Sequence, residues 1–363
     1  MSDRKKRDAN LDLLRIISML LIIFLHSIDH SGVLEQAEVG SNPMYFYVRF
    51  FYALCQVCVN CYVMLSGYYL VNSKFRLQKL ATLWMETVFY SFILKLLFMV
   101  TGQETFSIVS LISCFLPIVT GRYWFITIYV GMYLISPFLN KFIHSMDKRE
   151  HSMLNICFFA LFSLWNSIHP SIAGMNSGGG WGLAWFVVLY LAASWLRLYY
   201  IPKHKTVILL GNFFLIPLLM AASQMAVNAG GIEILQNIIS NWFRYDSAPV
   251  YFMTIALFTA FLNIQIKNDR VSQTICSVAP LTLGVYLIHA HADVSLWLWK
   301  TLDLPTYMDR LSFPVIQFGC TLLIFLSCVV IDALRRATIG RLEKTPAINI
   351  ACKKITAAVV GLF

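Results

Sequence analysis

The chain has 363 residues, of which 58% are apolar and only 13% charged, with a formal net charge of +10. Soluble domains carry roughly 25% charged residues, so this chain has too few to cover its surface in water, and lipid must solvate much of it. The basic excess does not indicate nucleic acid, because the cations sit in short clusters between apolar runs and form no continuous patch.

The basic start Arg4-Lys5-Lys6-Arg7 precedes an apolar run from Leu11 to about Ile28. That run is long enough to span, and no small-residue cleavage site follows it, so it is expected to remain as a span. Spans are expected at 11–31, 44–71, 80–101, 122–144, 152–170, 182–201, 206–226, 248–266, 273–299 and 311–335. The stretch 106–120 holds Pro117 and falls below spanning length, which predicts a re-entrant or interfacial piece. The expected fold class is all-α: a polytopic membrane helix bundle with about ten transmembrane helices over residues 1–335. Residues 336–363 are expected to form a basic amphipathic tail along the cytoplasmic membrane surface. No internal repeat or second soluble domain is visible.

Basic residues set the orientation. With the N-terminus in the cytoplasm, inside segments hold 21 of the 28 Lys and Arg residues, including Lys74, Arg76, Lys79, Lys203, Arg335 and Arg336. Outside loops hold four (Arg122, Arg244, Lys300, Arg310), and Arg15, Arg49 and Lys95 lie within spans. This is the positive-inside pattern, and it places both termini in the cytoplasm of an inner or plasma membrane. The nine cysteines lie mostly inside apolar stretches and make no disulfide framework. Cys55, Cys58 and Cys61 are read as small-residue helix packing.

Charges at membrane depth cost roughly 2.5–3.5 kcal/mol each, so each needs a reason. The first span carries Asp12 and Arg15 at its inner end, then His26, Asp29 and His30. Arg15 and His26 are eleven residues apart, which returns them to nearly the same helix face about 16 Å apart. Arg15 at an inner mouth suits a phosphate or pyrophosphate; its bland reading is snorkelling to headgroups. The imidazole of His26 suits a base or transient acceptor, with Asp29 orienting a ring; its bland reading is an interhelical hydrogen bond. His26, His30 and Asp29 also fit a zinc site in part, but no further ligand set is identifiable and no metal is expected.

Here the sequence resembles the acyltransferase-3 family of membrane O-acyltransferases. Four segments carry the resemblance, in the family's order: Asn10 to His26, with its arginine-x10-histidine signature; Asn60-Cys-Tyr-Val-Met-Leu-Ser66-Gly67-Tyr68; Arg122-Tyr-Trp124-Phe125 through Tyr129 to Pro137-Phe138; and Gly284-Val-Tyr286-Leu-Ile-His289. Members often carry two arginines after the serine-glycine element, whereas this chain has Lys74-Phe-Arg76-Leu-Gln-Lys79. Lysine holds a phosphate as a point charge without the planar fork.

The resemblance implies transfer of an acyl group, usually acetyl, from cytoplasmic acyl-coenzyme A to a hydroxyl of a cell-envelope glycan or lipid-linked sugar. No cofactor is bound permanently; acyl-coenzyme A is the donor substrate. Arg15, Arg76 and Lys79 would hold its phosphates. His26, with Asp29 and His30, would activate the acceptor or carry the acyl group. Asn60, Tyr62, Ser66, Trp124, Tyr129 and His289 are candidates for the acceptor or oxyanion site, against the alternative that polar groups in a bundle are packing glue. Trp181, Trp185 and Trp242 are read either as sugar-stacking faces or as an interfacial aromatic belt. His289, His291 and Asp293 form a polar cluster in the ninth expected span. The rival functions are a transporter or flippase for a glycan intermediate, and a membrane sensor without chemistry.

Overall fold

The computed structural model describes residues 8–38, 42–169, 177–202 and 205–340. Every regular element among the described residues is helical. In chain order these are α1 (Ala9–Asp29), α2 (Val33–Glu38), α3 (Tyr45–Cys55), α4 (Val57–Leu70), α5 (Leu77–Val100), α6 (Ile108–Ser113), α7 (Trp124–Ser145), α8 (Lys148–Phe159), α9 (Trp165–Ile168), α10 (Leu183–Tyr199), α11 (Thr206–Gly230), α12 (Glu233–Asn241), α13 (Ala248–Asn263), α14 (Asp269–Val278), α15 (Thr282–His289), α16 (Ala292–Leu302) and α17 (Phe313–Thr338).

Seven of the described helical runs are long and apolar enough to cross a bilayer: α1, α3–α4, α5, α7, α11, α14–α15 and α17. Helices α10 and α13 are apolar but have 17 and 16 residues. At 1.5 Å per residue they reach about 24–26 Å, against a hydrocarbon core of about 30 Å. The expected span 152–170 is α8 joined to α9 through a π-helical turn at Ala160–Leu164; residue 170 itself lies outside the described residues. Ten expected spans thus correspond to seven full-length runs and three shorter or more polar ones. The stretch 106–120 contains only the six-residue α6, about 9 Å long and too short to cross.

The ninth expected span is interrupted. Its helix starts earlier, at Asp269, where the Asn268 side chain accepts from the Arg270 and Val271 amides as an N-cap. It stops at His289, and His291 is extended before α16 begins. Asp293 then sits in the first turn of α16, where the helix dipole favours a carboxylate.

Helix α1 packs against α3, α4, α13, α14, α15 and α17, so the residues of the first span lie at the centre of the bundle. Helix α4 lies close against α10. A Cβ added to Gly67 would come 2.9 Å from the Tyr190 backbone, so the glycine of the Ser66-Gly67 element is needed for that approach. Gly67→Ala is expected to destabilise the bundle by about 1–3 kcal/mol through overpacking. Thermal unfolding in detergent checks this, with Gly211→Ala, which meets nothing within 4 Å, as the control.

The in-span charges all have carboxylate partners. Arg15 reaches Asp12 at 2.5 Å, Arg49 pairs with Glu38, and Lys95 lies 3.0 Å from Asp293 and 3.2 Å from Glu104. Arg335 and Arg336, expected as cations of the cytoplasmic surface, instead enter a buried network. Arg335 Nε and Arg336 Nε each sit 2.8 Å from an Asp332 oxygen, and both guanidinium groups reach Glu86 on α5. Tyr90 donates to Asp332 at 2.8 Å, and Arg336 donates to the Pro280 carbonyl at 2.6 Å. Asp332 is 0% exposed, and this pairing offsets its desolvation. Helix α17 runs through the expected boundary at 335/336 to Thr338; residues 341–363 of the expected tail, and the basic start 1–7, lie outside the described residues. Cys55, Cys58 and Cys61 are fully buried free thiols packed in the α3–α4 core.

Candidate functional site

A cavity of about 620 Å³ runs along one face of α1 and is lined by Arg15, Met19, Ile22, His26 and Asp29. Their spacings of 4, 3, 4 and 3 residues define a single helical stripe. The guanidinium and the imidazole therefore face the same space from one rigid helix, separated by about 16 Å of helical rise. Lys79, in the first turn of α5, lines the cavity with Arg15, while His30, Arg122, Trp124 and Trp181 line it too.

His26 is half-buried and stacks on His30, with ring centroids 4.4 Å apart and planes 12° apart. Asp29 lies 3.8 Å from His30 Nε2, so it orients His30 rather than His26. His30 Nδ1 is also 3.3 Å from Ser295 Oγ. His289 lies behind His26, fully buried, with ring centroids 5.2 Å apart. Its Nδ1 is 2.6 Å from the Val285 carbonyl, which requires that nitrogen to carry the proton in the neutral ring. His289 Nε2 is then an acceptor, and it is buried without a hydrogen-bond partner among the described residues, as is His26 Nδ1.

Other candidates divide. Tyr62, Ser66, Trp124 and Tyr129 line the cavity. However, the Tyr62 hydroxyl donates to the Arg15 carbonyl at 3.0 Å and the Ser66 hydroxyl to the Tyr62 carbonyl at 3.0 Å, so both protons are engaged by backbone and are not aimed at an oxyanion. Asn60 does not line the cavity. It is a buried strut, donating to the Tyr245 carbonyl at 2.8 Å and accepting from Trp185 Nε1 at 3.0 Å. Arg76 does not line it either: its side chain is exposed, and its backbone N–H and C=O both bond the Tyr133 hydroxyl at 3.1 Å. The cation that α5 contributes to the cavity wall is Lys79. His291 and Asp293 lie off the lining, with Asp293 engaged by Lys95.

Lining residues without an assigned role in the sequence include Arg122, Tyr245 and Tyr286. Arg122 and Tyr286 stand inside recognisable motifs, which was the available signal. Tyr245 follows the short turn Trp242-Phe243-Arg244 after α12 and reaches the cavity only through tertiary packing. Arg122 Nη2 donates to Ser110 O at 3.2 Å and Ser113 Oγ at 2.8 Å, tying α6 to the start of α7. Of the tryptophans, Trp185 is buried against Asn60 and Trp242 donates to the Ser167 carbonyl at 3.2 Å; Trp181 alone of these three lines the cavity. Among the described residues no group of three or more His, Cys, Asp or Glu side chains is arranged to hold a metal ion.

The arrangement can receive an anionic chain at the Arg15–Lys79 end and bring its far end to an imidazole. The family model described as an acyltransferase domain, that of the acyltransferase-3 family, matches residues 8–333. No curated protein and no solved structure matches the chain. With nearly the whole length matched, and with helices long and apolar enough for a multi-pass membrane protein, the chain belongs to the acyltransferase-3 family and is a membrane acyltransferase.

Proposed function

We propose that the protein is an O-acyltransferase that moves an acetyl group from cytoplasmic acetyl-coenzyme A to a hydroxyl of a cell-envelope glycan or lipid-linked sugar, with both termini in the cytoplasm of the inner or plasma membrane. The single observation that carries this reading is the shared cavity, with Arg15 and Lys79 on its wall and His26 further along the same α1 stripe. Phosphates of the donor pair with the two cations, the guanidinium by charge-assisted hydrogen bonds and the ammonium as a point charge. The pantetheine arm extends along Met19 and Ile22, apolar side chains that suit its methylenes.

His26 then takes the proton of the acceptor hydroxyl as its oxygen attacks the thioester carbon. The new C–O bond forms and the carbonyl electron pair moves onto oxygen. Collapse of this oxyanion breaks the C–S bond, and His26 returns the proton to the departing thiolate, leaving an ester and free coenzyme A thiol. His289 is the positioning residue: a rotation of His26 that brings Nδ1–H to the bare His289 Nε2 leaves His26 Nε2 as the base. Positioning two reactants in one cavity supplies much of the rate, because a thioester is already a reactive donor.

Arg15→Ala is expected to raise the KM for acetyl-coenzyme A by about tenfold or more, the loss of a charge-assisted contact worth about 1.5–3 kcal/mol. The KM for the acceptor stays unchanged. Arg15→Lys recovers part of the donor affinity, and the residual affinity falls with added salt. Steady-state kinetics in lipid nanodiscs measure both constants. An unchanged donor KM in Arg15→Ala sinks the assignment of that end to coenzyme A.

A further inference from the structure

We propose that Trp181, backed by Trp124 and Tyr245, is a binding platform for one neutral sugar ring, and that the buried carboxylate of Asp246 holds this platform in place. The proposal rests on the reading of the protein as a glycan acyltransferase and names the acceptor subsite.

Three aromatic rings from separate parts of the chain converge on the cavity wall. Trp124 opens α7, Trp181 precedes α10, and Tyr245 precedes α13. The ring centroids of Trp124 and Trp181 are 4.4 Å apart at 32°, those of Trp181 and Tyr245 6.0 Å apart, and those of Trp124 and Tyr245 6.4 Å apart at 27°. Trp181 is the exposed member at 49%, whereas Tyr245 is 7% exposed. A tryptophan of an interfacial belt needs only lipid headgroups beside it. Here the indole lies on the wall of the cavity that also contains His26, with one side covered by another indole. The face of a pyranose presents C–H groups of partial positive charge, which match the negative face of an indole quadrupole.

The platform is built with more polar structure than a lipid anchor requires. Asp246 is 0% exposed. Its Oδ2 accepts from Asn166 Nδ2 at 3.0 Å, from Arg244 Nη2 at 3.0 Å and from the Ser177 hydroxyl. Ser177 in turn accepts at its carbonyl from the Gly180 and Gly182 amides, both at 3.2 Å, which closes the turn that carries Trp181. Gly180 has φ +90°, and a Cβ there would stand 2.4 Å from Tyr245 Cβ, so the turn is pressed onto the segment that bears Tyr245 and Asp246. A buried carboxylate is costly unless it is hydrogen-bonded; here Oδ2 takes all three donors, while Oδ1 has no hydrogen-bond partner among the described residues. This one joins the end of α9, the Trp181 turn and the start of α13, and the part of that junction lining the cavity is aromatic.

The test uses the full-length protein in nanodiscs, with neutral oligosaccharides of glucose, galactose and N-acetylglucosamine as probes. Saturation-transfer NMR reports contact of the sugar ring protons with the protein, and coenzyme A binding is measured in the same samples. Wild type is expected to give ring-proton saturation from at least one probe. Trp181→Leu, which keeps apolar bulk but removes the π face, is expected to weaken that binding about tenfold, as for loss of a stacking contact. Trp181→Phe is expected to restore most of it, and Asp246→Asn to weaken it comparably, with coenzyme A affinity unchanged in all three. The proposal is overturned if wild type shows no saturation of any probe, if Trp181→Leu binds the sugars as wild type does, or if sugar and coenzyme A binding fall together. Sugar binding that depends on Trp181 in a protein with no coenzyme A affinity upholds the platform and counts instead against the donor reading.

Discussion

Replacing His26 by alanine is expected to lower acyl transfer by about 10²–10⁴-fold, the contribution of a positioned general base. The fall belongs in turnover, with the KM for the proposed donor, acetyl-coenzyme A, little changed, because the proposed phosphate contacts lie at the Arg15 end of the stripe, away from His26. The fold should tolerate the change. His26 lines an existing cavity, and its Nδ1 makes no hydrogen bond among the described residues, so truncation enlarges a space without breaking a strut. His289→Gln is the informative companion. Glutamine keeps a polar side chain beside His26 but alters the acceptor offered to it, so a turnover loss with unchanged KM values and an altered pH profile marks a positioning role. His30→Ala removes the ring stacked on His26 together with its contacts to Asp29 and Ser295, and is expected to cost less. Steady-state rates and far-UV circular dichroism on the three variants separate chemistry from misfolding.

Asp332→Ala is expected to destabilise the bundle by about 3–5 kcal/mol, the cost of stripping one partner from a buried ion network. Asp332 receives Arg335 and Arg336 at 2.8 Å and the Tyr90 hydroxyl at 2.8 Å, and without it two guanidinium groups share Glu86 alone among these carboxylates. The packing around it is equally tight. A Cβ on Gly284 would fall 2.3 Å from Asp332 Cγ, so the glycine of the Gly284-to-His289 element is shaped around this carboxylate. Because Arg336 also holds the Pro280 carbonyl, and Pro280 lines the cavity, loosening the network should disturb the cavity wall as well as stability. Thermal unfolding in detergent measures the first effect. Asp332→Asn, which keeps shape and one acceptor, is expected to lie between wild type and Asp332→Ala.

The parts of this molecule that a local pattern determines were legible in its sequence. Hydropathy marks α1, α5, α7, α11 and α17, because each is a long apolar run with cations near at least one end. The α1 stripe was legible too, since a helix of known pitch fixes which of its own residues share a face. Position relative to other helices was not. Asn60 and Ser66 look alike as polar residues of one motif, yet Asn60 braces α10 and α13 while Ser66 lines the cavity. Arg335 and Arg336 look like surface cations of a positive-inside end, because their partner Glu86 lies 249 and 250 residues away on α5. The break at Ala290 and His291 falls at the polar cluster His289, His291 and Asp293, which a span-length reading absorbed into one helix. Asp246, the anchor of the Trp181 turn, gave no signal, since its donors come from Asn166, Ser177 and Arg244, and no sequence spacing announces such a meeting.

The central claim is that one cavity joins a donor-binding end to an acceptor-binding end through His26. Vesicles carrying the purified protein test it most directly, with acetyl-labelled coenzyme A supplied only at the Arg15 face and a hydroxyl-bearing glycan confined to the opposite side. The account predicts label in the glycan matched by free thiol on the donor side, both lost in His26→Ala. Glycan movement across the membrane without thiol release, or label transfer that survives His26→Ala at the wild-type rate, would contradict it.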